Sequence, residues 1–304
     1  MTATVLKHNF PQNPSRHTAS SVQSVLVPLD GTEASKAALP VARTVSQFYA
    51  ATLHLAYVGE GDRNMNELVS QLGLTAEEVR GTVLHQRRGL PEQTVNELAS
   101  ELDDMLIVIS TQVGEPFSEE RFGAVTEAIF QANPERIVLL NQGSVAETWR
   151  LRQILLAHDG TPASDAATFP AAELAQAAGA EVLALHVAAR GKNPSSQPGS
   201  IPAPQYVDQL QHEWPSWTQE FMNRMLAAGA PPSSVHFQLV VTGGQAGSEV
   251  AEVARERGVD LVVMAWHGHT NHKTCATRVV IRNAGCPVLL VFSQNGMHPG
   301  AADE

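Results

Sequence analysis

The sequence predicts an α/β protein made of two similar halves, each a parallel sheet covered by helices. Three observations lead there. Asp-Gly-Thr occurs twice, as Asp30-Gly31-Thr32 and as Asp159-Gly160-Thr161, each time after an apolar run. The stretches Ser24–Val58 and Gln153–Val187 align around it without a gap, so an internal repeat organises the chain. Short, near-continuous apolar runs alternate with segments of helical spacing. That is the pattern of strands buried on both faces and joined by right-handed helical crossovers.

In the first half, Val25–Leu29 reads as the opening strand. A helix from Glu33 to Phe48 follows, with Thr32 or Ser35 as its cap. Thr52–Val58 is the second strand and Asn66 to Leu72 a helical segment. Gly81–Gln86 is the third strand, and Pro91 opens the next helix at a position where a missing N–H costs little. Met105–Ser110, a helix over Glu119–Gln131 and the strand Arg136–Leu140 complete the half. The second half repeats the order. Its strands are Ile154–Ala157, Glu181–Val187, Val235–Val241, Leu261–Ala265 and Val288–Phe292. Its helices are Ala163–Ala178, Gln205–Ala227, Glu249–Arg257 and Thr277–Ala284. One insertion separates the halves in length. Arg190–Pro204 is rich in Pro, Ser and Gly and runs into a helix carrying Trp214 and Trp217. It reads as a surface loop, with a lid over a site as the alternative.

A length of 304 residues and a hydrophobic share of 43% suffice for two domains with a core each. The expected division is a flexible tail over 1–21, a first domain over 22–143, a second over 150–294, and a C-terminal tail over 295–304. Gln142–Arg150 is a short linker. A net charge of −11 argues against a broad basic surface for nucleic acid, and the single adjacent basic pair, Arg87-Arg88, reads as a solvated strand end. No apolar run approaches the roughly 20 residues of a membrane span. Met1–Ser21 is polar and lacks the apolar centre of an export signal, so no membrane partner and a cytoplasmic location are expected. Two cysteines, Cys275 and Cys286, are too few for a disulfide framework and are expected as reduced thiols.

Open parallel sheets bind ligands beyond the carboxyl ends of their strands, where strand order reverses. Asp30 and Asp159 stand at such ends, each before a helix whose first N–H groups lack partners. A carboxylate there accepts a hydrogen bond from an exocyclic amine or a ribose hydroxyl, and the helix N-terminus favours phosphate. The plainer reading is turn and cap chemistry. Two glycine loops follow in the same order in both halves. Gly89-Leu90-Pro91 is matched loosely by Gly243-Gly244-Gln245-Ala246-Gly247, and Ser110 to Gly114 by Ala265-Trp266-His267-Gly268. Glycine lets a backbone approach a ligand closely.

Val27-Pro28-Leu29-Asp30-Gly31-Thr32, Gly89-Leu90-Pro91, Asn133-Pro134 and Val138-Leu139-Leu140 carry a resemblance in the first half. Ala157-His158-Asp159-Gly160-Thr161, Met264 to Gly268 and Gly285-Cys286-Pro287-Val288-Leu289-Leu290-Val291 carry it in the second. On these residues the chain resembles the universal stress protein family in its tandem form, from Ser24 to Ser293. The resemblance implies two Rossmann-like domains of the adenine nucleotide alpha hydrolase-like type, each with a five-stranded parallel sheet. It implies pairing of domains through the last strand, as a pseudo-dimer within the chain, with a homodimer also open to it. ATP-binding members carry Gly-x-x-Gly and, after a spacer, Gly-Ser or Gly-Thr around the phosphates. Here Thr111 stands at the first glycine, Gly114 is kept, and a shorter spacer leads to Gly123-Ala124, which lacks the hydroxyl. In the second half Ala265 replaces the first glycine, Gly268 is kept, and Thr274-Cys275 falls near the last pair. The resemblance thus assigns ATP or AMP to Asp30, Gly89, Gly114, Gly123 and Ala124, and to Asp159, Gly244 and Gly268. The carboxylates would meet the base or ribose; main-chain N–H groups at the glycines would meet phosphate.

His267, His269, His272 and Cys275 place three imidazoles and a thiol in one loop. The preferred reading is a polar loop; a zinc site is the alternative, since these are good zinc ligands. A Ser-His-Asp or Cys-His arrangement can be drawn from His158, Asp159 and Cys275, but sequence supplies no geometry for one. The expectation is a stress-response module that binds a small ligand and is not an enzyme. A nucleotide-independent scaffold for a protein partner is the alternative, and a metal-dependent enzyme on the histidine loop is a third reading.

Overall fold

Each apolar run that precedes Asp-Gly-Thr becomes the central strand of a five-stranded parallel sheet. The structure is a computed structural model and describes residues 6–7, 22–60, 63–111, 124–132, 137–142, 148–188, 200, 213–229, 234–266 and 276–293. The chain divides into two units, Ala19–Arg150 and Met1–Thr18 with Leu151–Glu304. The first described element, β1 (Leu6–Lys7), belongs to the second of these.

The N-terminal unit contains β2 (Ser24–Leu29), α1 (Glu33–Lys36), α2 (Leu39–Tyr49), β3 (Thr52–Val58), α3 (Met65–Gln71), α4 (Ala76–Val79), β4 (Thr82–Arg87), α5 (Pro91–Glu101), β5 (Met105–Thr111), α6 (Ala124–Ala132) and β6 (Ile137–Gln142). Its strands lie in the order β6-β5-β2-β3-β4, all parallel, with Val25 beside Leu53 on one side and Leu106 on the other. The C-terminal unit contains β7 (Gln153–Ala157), a 3₁₀ turn (Ser164–Ala167), α7 (Thr168–Ala178), β8 (Glu181–Ala188), α8 (Glu213–Gly229), β9 (Phe237–Gly243), α9 (Ala246–Arg257), β10 (Leu261–Trp266), α10 (Ala276–Asn283) and β11 (Val288–Phe292). Its order, β9-β8-β7-β10-β11, is that of the first unit. β1 adds an antiparallel edge, with Leu6 opposite Leu239.

Burial on both faces explains why the central strands read as unbroken apolar runs. Val25, Leu26 and Val27 of β2, Ile107 and Val108 of β5, Ile154, Leu155 and Leu156 of β7, and Val262 and Val263 of β10 are all fully buried. Each such side chain contributes about 1.5–3 kcal/mol of transfer free energy.

The expected single helix over Glu33–Phe48 is two, α1 and α2, because Pro40 in the first turn of α2 has no N–H and its ring would meet the Lys36 carbonyl of a continuous helix. In the C-terminal unit the expected helix over Ala163–Ala178 likewise begins as a 3₁₀ turn before α7, with Pro170 in the first turn of α7. α4 was not expected, although Thr75 and Glu78 form a full capping box around it. Of the helix expected over Glu119–Gln131, residues 119–123 lie outside the described residues.

The C-terminal edge of the strands carries Asp30, Gly89, Asp159 and Gly244; the opposite edge is braced by a different aspartate. Asp260 Oδ2 accepts the backbone N–H of Arg152 at 2.8 Å and of Gln153 at 3.0 Å, and Oδ1 meets the Arg152 guanidinium at 3.3 Å. These bonds join the starts of β7 and β10. In the N-terminal unit the counterpart is looser. Asp104 Oδ2 accepts one bond, from Gln23 Nε2 at 2.9 Å, at an exposed position.

Two stability predictions follow. Asp260→Ala leaves two backbone N–H groups without their acceptor and costs about 2 kcal/mol, while Asp104→Asn, which keeps an acceptor and suits the left-handed φ of 43°, costs under about 1 kcal/mol; urea midpoints measure both. At the C-cap of α2, Ala50 is left-handed (φ 51°), where the repeat places Gly179 (φ 66°) after α7. Ala50→Gly relieves that strain and stabilises by about 1 kcal/mol, read as a rise in melting temperature.

Candidate functional site

In both units the chain winds away from the central strand first to one side and then to the other. The reversal falls between β2 and β5 in the first and between β7 and β10 in the second. Asp30 directly follows β2, and Asp159 lies just past the end of β7. Both aspartates therefore stand at the crevice that this strand order creates.

The two turns are built alike. Asp30 Oδ1 accepts the Thr32 N–H at 2.9 Å and the Thr32 hydroxyl at 2.7 Å. Thr32 Oγ1 in turn accepts the Ser35 N–H at 3.1 Å and caps α1. Gly31, at φ 85°, makes the left-handed step between them. In the second unit Asp159 Oδ1 accepts the Thr161 N–H at 2.9 Å, the Thr161 hydroxyl at 2.6 Å, and the Ser164 hydroxyl. Gly160 takes φ 82°. Among the described residues no hydrogen bond reaches Oδ2 of either carboxylate. Burial pushes both carboxyl groups up, but the donated bonds outweigh it and hold each below the ordinary carboxylate value. Both are anions at neutral pH, with one oxygen spent on the turn.

The flanks of the turns differ. Asp30 and Asp159 are both exposed, but Gly160, Thr161 and Ser164 around the second are buried, whereas Gly31, Thr32 and Ser35 around the first are not. In the C-terminal unit His158 Nδ1 accepts the Gly160 N–H at 3.1 Å, so its proton sits on Nε2, which donates to Asp165 Oδ1 at 3.0 Å. His186 Nδ1–H donates to the His158 carbonyl at 3.0 Å. Phe221 and Trp217 of α8 close over these rings at centroid distances of 5.0 to 5.2 Å. Sequence reasoning missed this network. Its only signal was a histidine just past one strand, another within the next, and the aromatic residues after the insertion. Both ring nitrogens of His158 are committed, and the Ser164 hydroxyl points to Asp159. The drawn Ser-His-Asp relay is thus not assembled here.

The glycine loops differ by one charge. Gly89, at φ 126°, precedes Leu90 and Pro91, and a methyl group there would press on Thr94 Oγ1 at 2.8 Å. At the corresponding place in the second unit the Glu249 carboxylate lies against Gly244. An acidic group in the first turn of a helix suits the dipole, and it occupies the position an anion would take at the start of α9. Gly247 is a packing residue: a methyl group on it would meet Val279 and the Ala276 backbone of α10 within 3.0 Å.

Ala124 is the exposed first residue of α6. Gly114, Gly123, Gly268, His267, His269, His272 and Cys275 lie outside the described residues. Among the described residues no group of three or more metal-type ligands converges, and no helix is long and apolar enough to cross a membrane. Cys286 is buried, which pushes its thiol up to about 12 and leaves it unreactive.

The histidines set an acid limit. Burial lowers His186 from 6.5 to about 4, against the opposing pull of the His158 carbonyl. His54 and His85 are lowered as well, first by burial. The unfolded chain therefore binds protons that the folded one refuses. Stability is complete above about pH 6.5 and falls toward pH 4, by up to about 3 kcal/mol from His186. The two aspartates, lowered from 3.8, hold their contribution until more acid conditions. His186→Asn keeps a donor for the His158 carbonyl and removes the titration, so its urea midpoint changes less between pH 7 and 4.5 than that of the wild type.

Residues 150–291 match the model of the Universal stress protein family. A functionally unknown protein from Pseudomonas aeruginosa PAO1 has a similar fold, with a TM-score of 0.62 and 18% identity over 90% of this chain and 93% of its own. A universal stress protein from Archaeoglobus fulgidus DSM 4304 aligns with a TM-score of 0.60 and 15% identity over 89% of this chain and 98% of its own. No curated protein matches the chain in sequence. At these identities the structural likeness concerns the fold. The second half thus carries a universal stress protein domain, and the chain has the Rossmann-like α/β architecture found in universal stress protein structures.

Proposed function

We propose that the whole chain is a tandem universal stress protein, a cytoplasmic stress-response module that binds a small ligand in each unit and acts by binding and not by turnover. One observation carries this reading: the same carboxylate turn is built twice at the same strand reversal, with one oxygen consumed by the turn and the other left for a ligand donor. A turn alone needs only the first. The donors that suit the second are an adenine amine or a ribose hydroxyl, so adenine nucleosides and nucleotides are the ligand class. Phosphate is better tolerated in the N-terminal unit, where Thr94 stands at the loop. Glu249 repels it in the other, which therefore favours AMP or adenosine over ATP.

That same carboxylate favours a second reading, in which the C-terminal unit holds no nucleotide and serves as a surface for a protein partner.

Calorimetric titration of ligand-free protein with ATP, AMP and adenosine distinguishes these. Saturable binding is expected, and Asp30→Asn, which keeps the acceptor oxygen of the turn, weakens it about tenfold or more through loss of a charged hydrogen bond. Asp159→Asn acts likewise on the second site. Flat titrations with all three compounds defeat the nucleotide reading and leave the scaffold.

A further inference from the structure

Three positions set the two turns apart. The repeat matches Leu29, Lys36 and Tyr57 of the N-terminal unit with His158, Asp165 and His186 of the C-terminal one. In the second unit these three residues form one run of hydrogen bonds. His158 Nδ1 accepts the N–H of buried Gly160 at 3.1 Å. His158 Nε2–H donates to Asp165 Oδ1 at 3.0 Å, and the His158 carbonyl accepts His186 Nδ1–H at 3.0 Å. His158 itself is 4% exposed. Leu29 has no side-chain acceptor, so the first turn has no such hold on Gly31.

We propose that His158 is the positioning residue of the second crevice: its neutral ring holds the Asp159-Gly160-Thr161 turn in the ligand-binding form, and a proton on Nδ1 releases it. This role rests on the small-ligand reading and gives the second crevice a control that the first lacks. One lone pair carries it. Nδ1 accepts the Gly160 N–H only while the ring is neutral. Protonation puts a second N–H at the same spot. Two donors then face each other, and a buried amide loses its acceptor. That amide belongs to the peptide bond that follows Asp159. Any rotation of it moves the Asp159 backbone and strains the bonds from Thr161 to the carboxylate.

Few charges surround the ring. Asp165 of the 3₁₀ turn and Asp159 itself favour the imidazolium, and burial opposes it. His186 of β8 stays neutral above about pH 5, since burial lowers it to about 4. α8 lays Phe221 edge-on against the ring at 5.2 Å, and its charged Glu220 and Arg224 are exposed. β10 contains no titratable residue. Imidazole is the side chain that changes charge between about pH 5 and 8. Binding in the second crevice therefore falls with acid, while binding in the first does not.

The test uses the full chain and adenosine, which has no phosphate to titrate in this range. With the first site weakened by Asp30→Asn, calorimetry should show adenosine bound about tenfold more weakly at pH 5 than at pH 8. In the Asp159→Asn chain, which reports the first site, the two affinities should agree within about twofold. His158→Leu, which copies the first unit, should weaken binding at both pH values. His158→Asn keeps an acceptor at the Nδ1 position and does not titrate, so it should rescue binding and remove the pH dependence. A histidine that only fills space would not separate these two variants. An equal loss in both crevices, or a pH dependence that survives His158→Asn, overturns the proposal. A second readout needs no ligand. ¹H–¹⁵N spectra of the unliganded chain between pH 8 and pH 5 should show the Gly160 amide moving with the same midpoint as the His158 ring nitrogens, while the Gly31 amide stays in place. A Gly160 amide indifferent to the charge on the ring, or a ring that keeps one charge throughout, also overturns it. Adenosine bound at neither pH counts against the nucleotide reading instead, and the spectra then decide the role of His158 alone.

Discussion

The hydrogen bonds that a threonine amide and hydroxyl donate to one aspartate oxygen fix the rim of both sheets. They follow the ends of β2 and β7, enclose the left-handed step at Gly31 and Gly160, and lead into α1 in the first unit and the 3₁₀ turn in the second. In the second unit three donors converge on one oxygen of the charged carboxylate, and those donors in turn keep it charged against the desolvation of its surroundings. Position and ionisation are thus one property. An amide there would still offer the turn its acceptor oxygen but would give up the charge.

Repetition preserved this turn and let its surroundings diverge. Thr94 and Glu249 occupy matching places over their loops, yet one is a small hydroxyl and the other an anion. The turn after Asp30 is open to solvent, whereas the turn after Asp159 is buried and follows His158, whose ring packs on Phe221 of α8. A fixed fold with variable neighbours is how one architecture comes to hold different ligands. The crevices are equivalent in topology and unlike in charge and in the burial of their turns.

What the sequence made legible was whatever lay close along the chain. The central strands showed as apolar runs because both of their faces are buried, and the aspartates showed because the repeat marked them. Pro40 was in plain view but was absorbed into a helical pattern; its missing N–H breaks that helix, and the spacing of apolar residues does not register it. The Thr75–Glu78 capping box was equally local and was overlooked because it encloses a single turn. Other features are contacts through space. Asp260 with Arg152, His158 with His186 and His54 with His85 join residues on different strands, and their meaning appears only once register is known. The histidine loop drew attention by its density along the chain, while the pair that faces nitrogen to nitrogen did not.

The two-residue strand at Leu6–Lys7 joins the chain's beginning to β9, more than two hundred positions later. The C-terminal unit is therefore discontinuous: its edge is finished by residues that leave the ribosome before any of its other strands exist. During synthesis those residues must wait, unpaired, while the whole first unit folds between them and their partner. Until they dock, β9 presents open backbone amides, the kind of border that invites pairing with a neighbouring chain. The chain thus passes, late in its own synthesis, through an interval in which its assembly is most open to error.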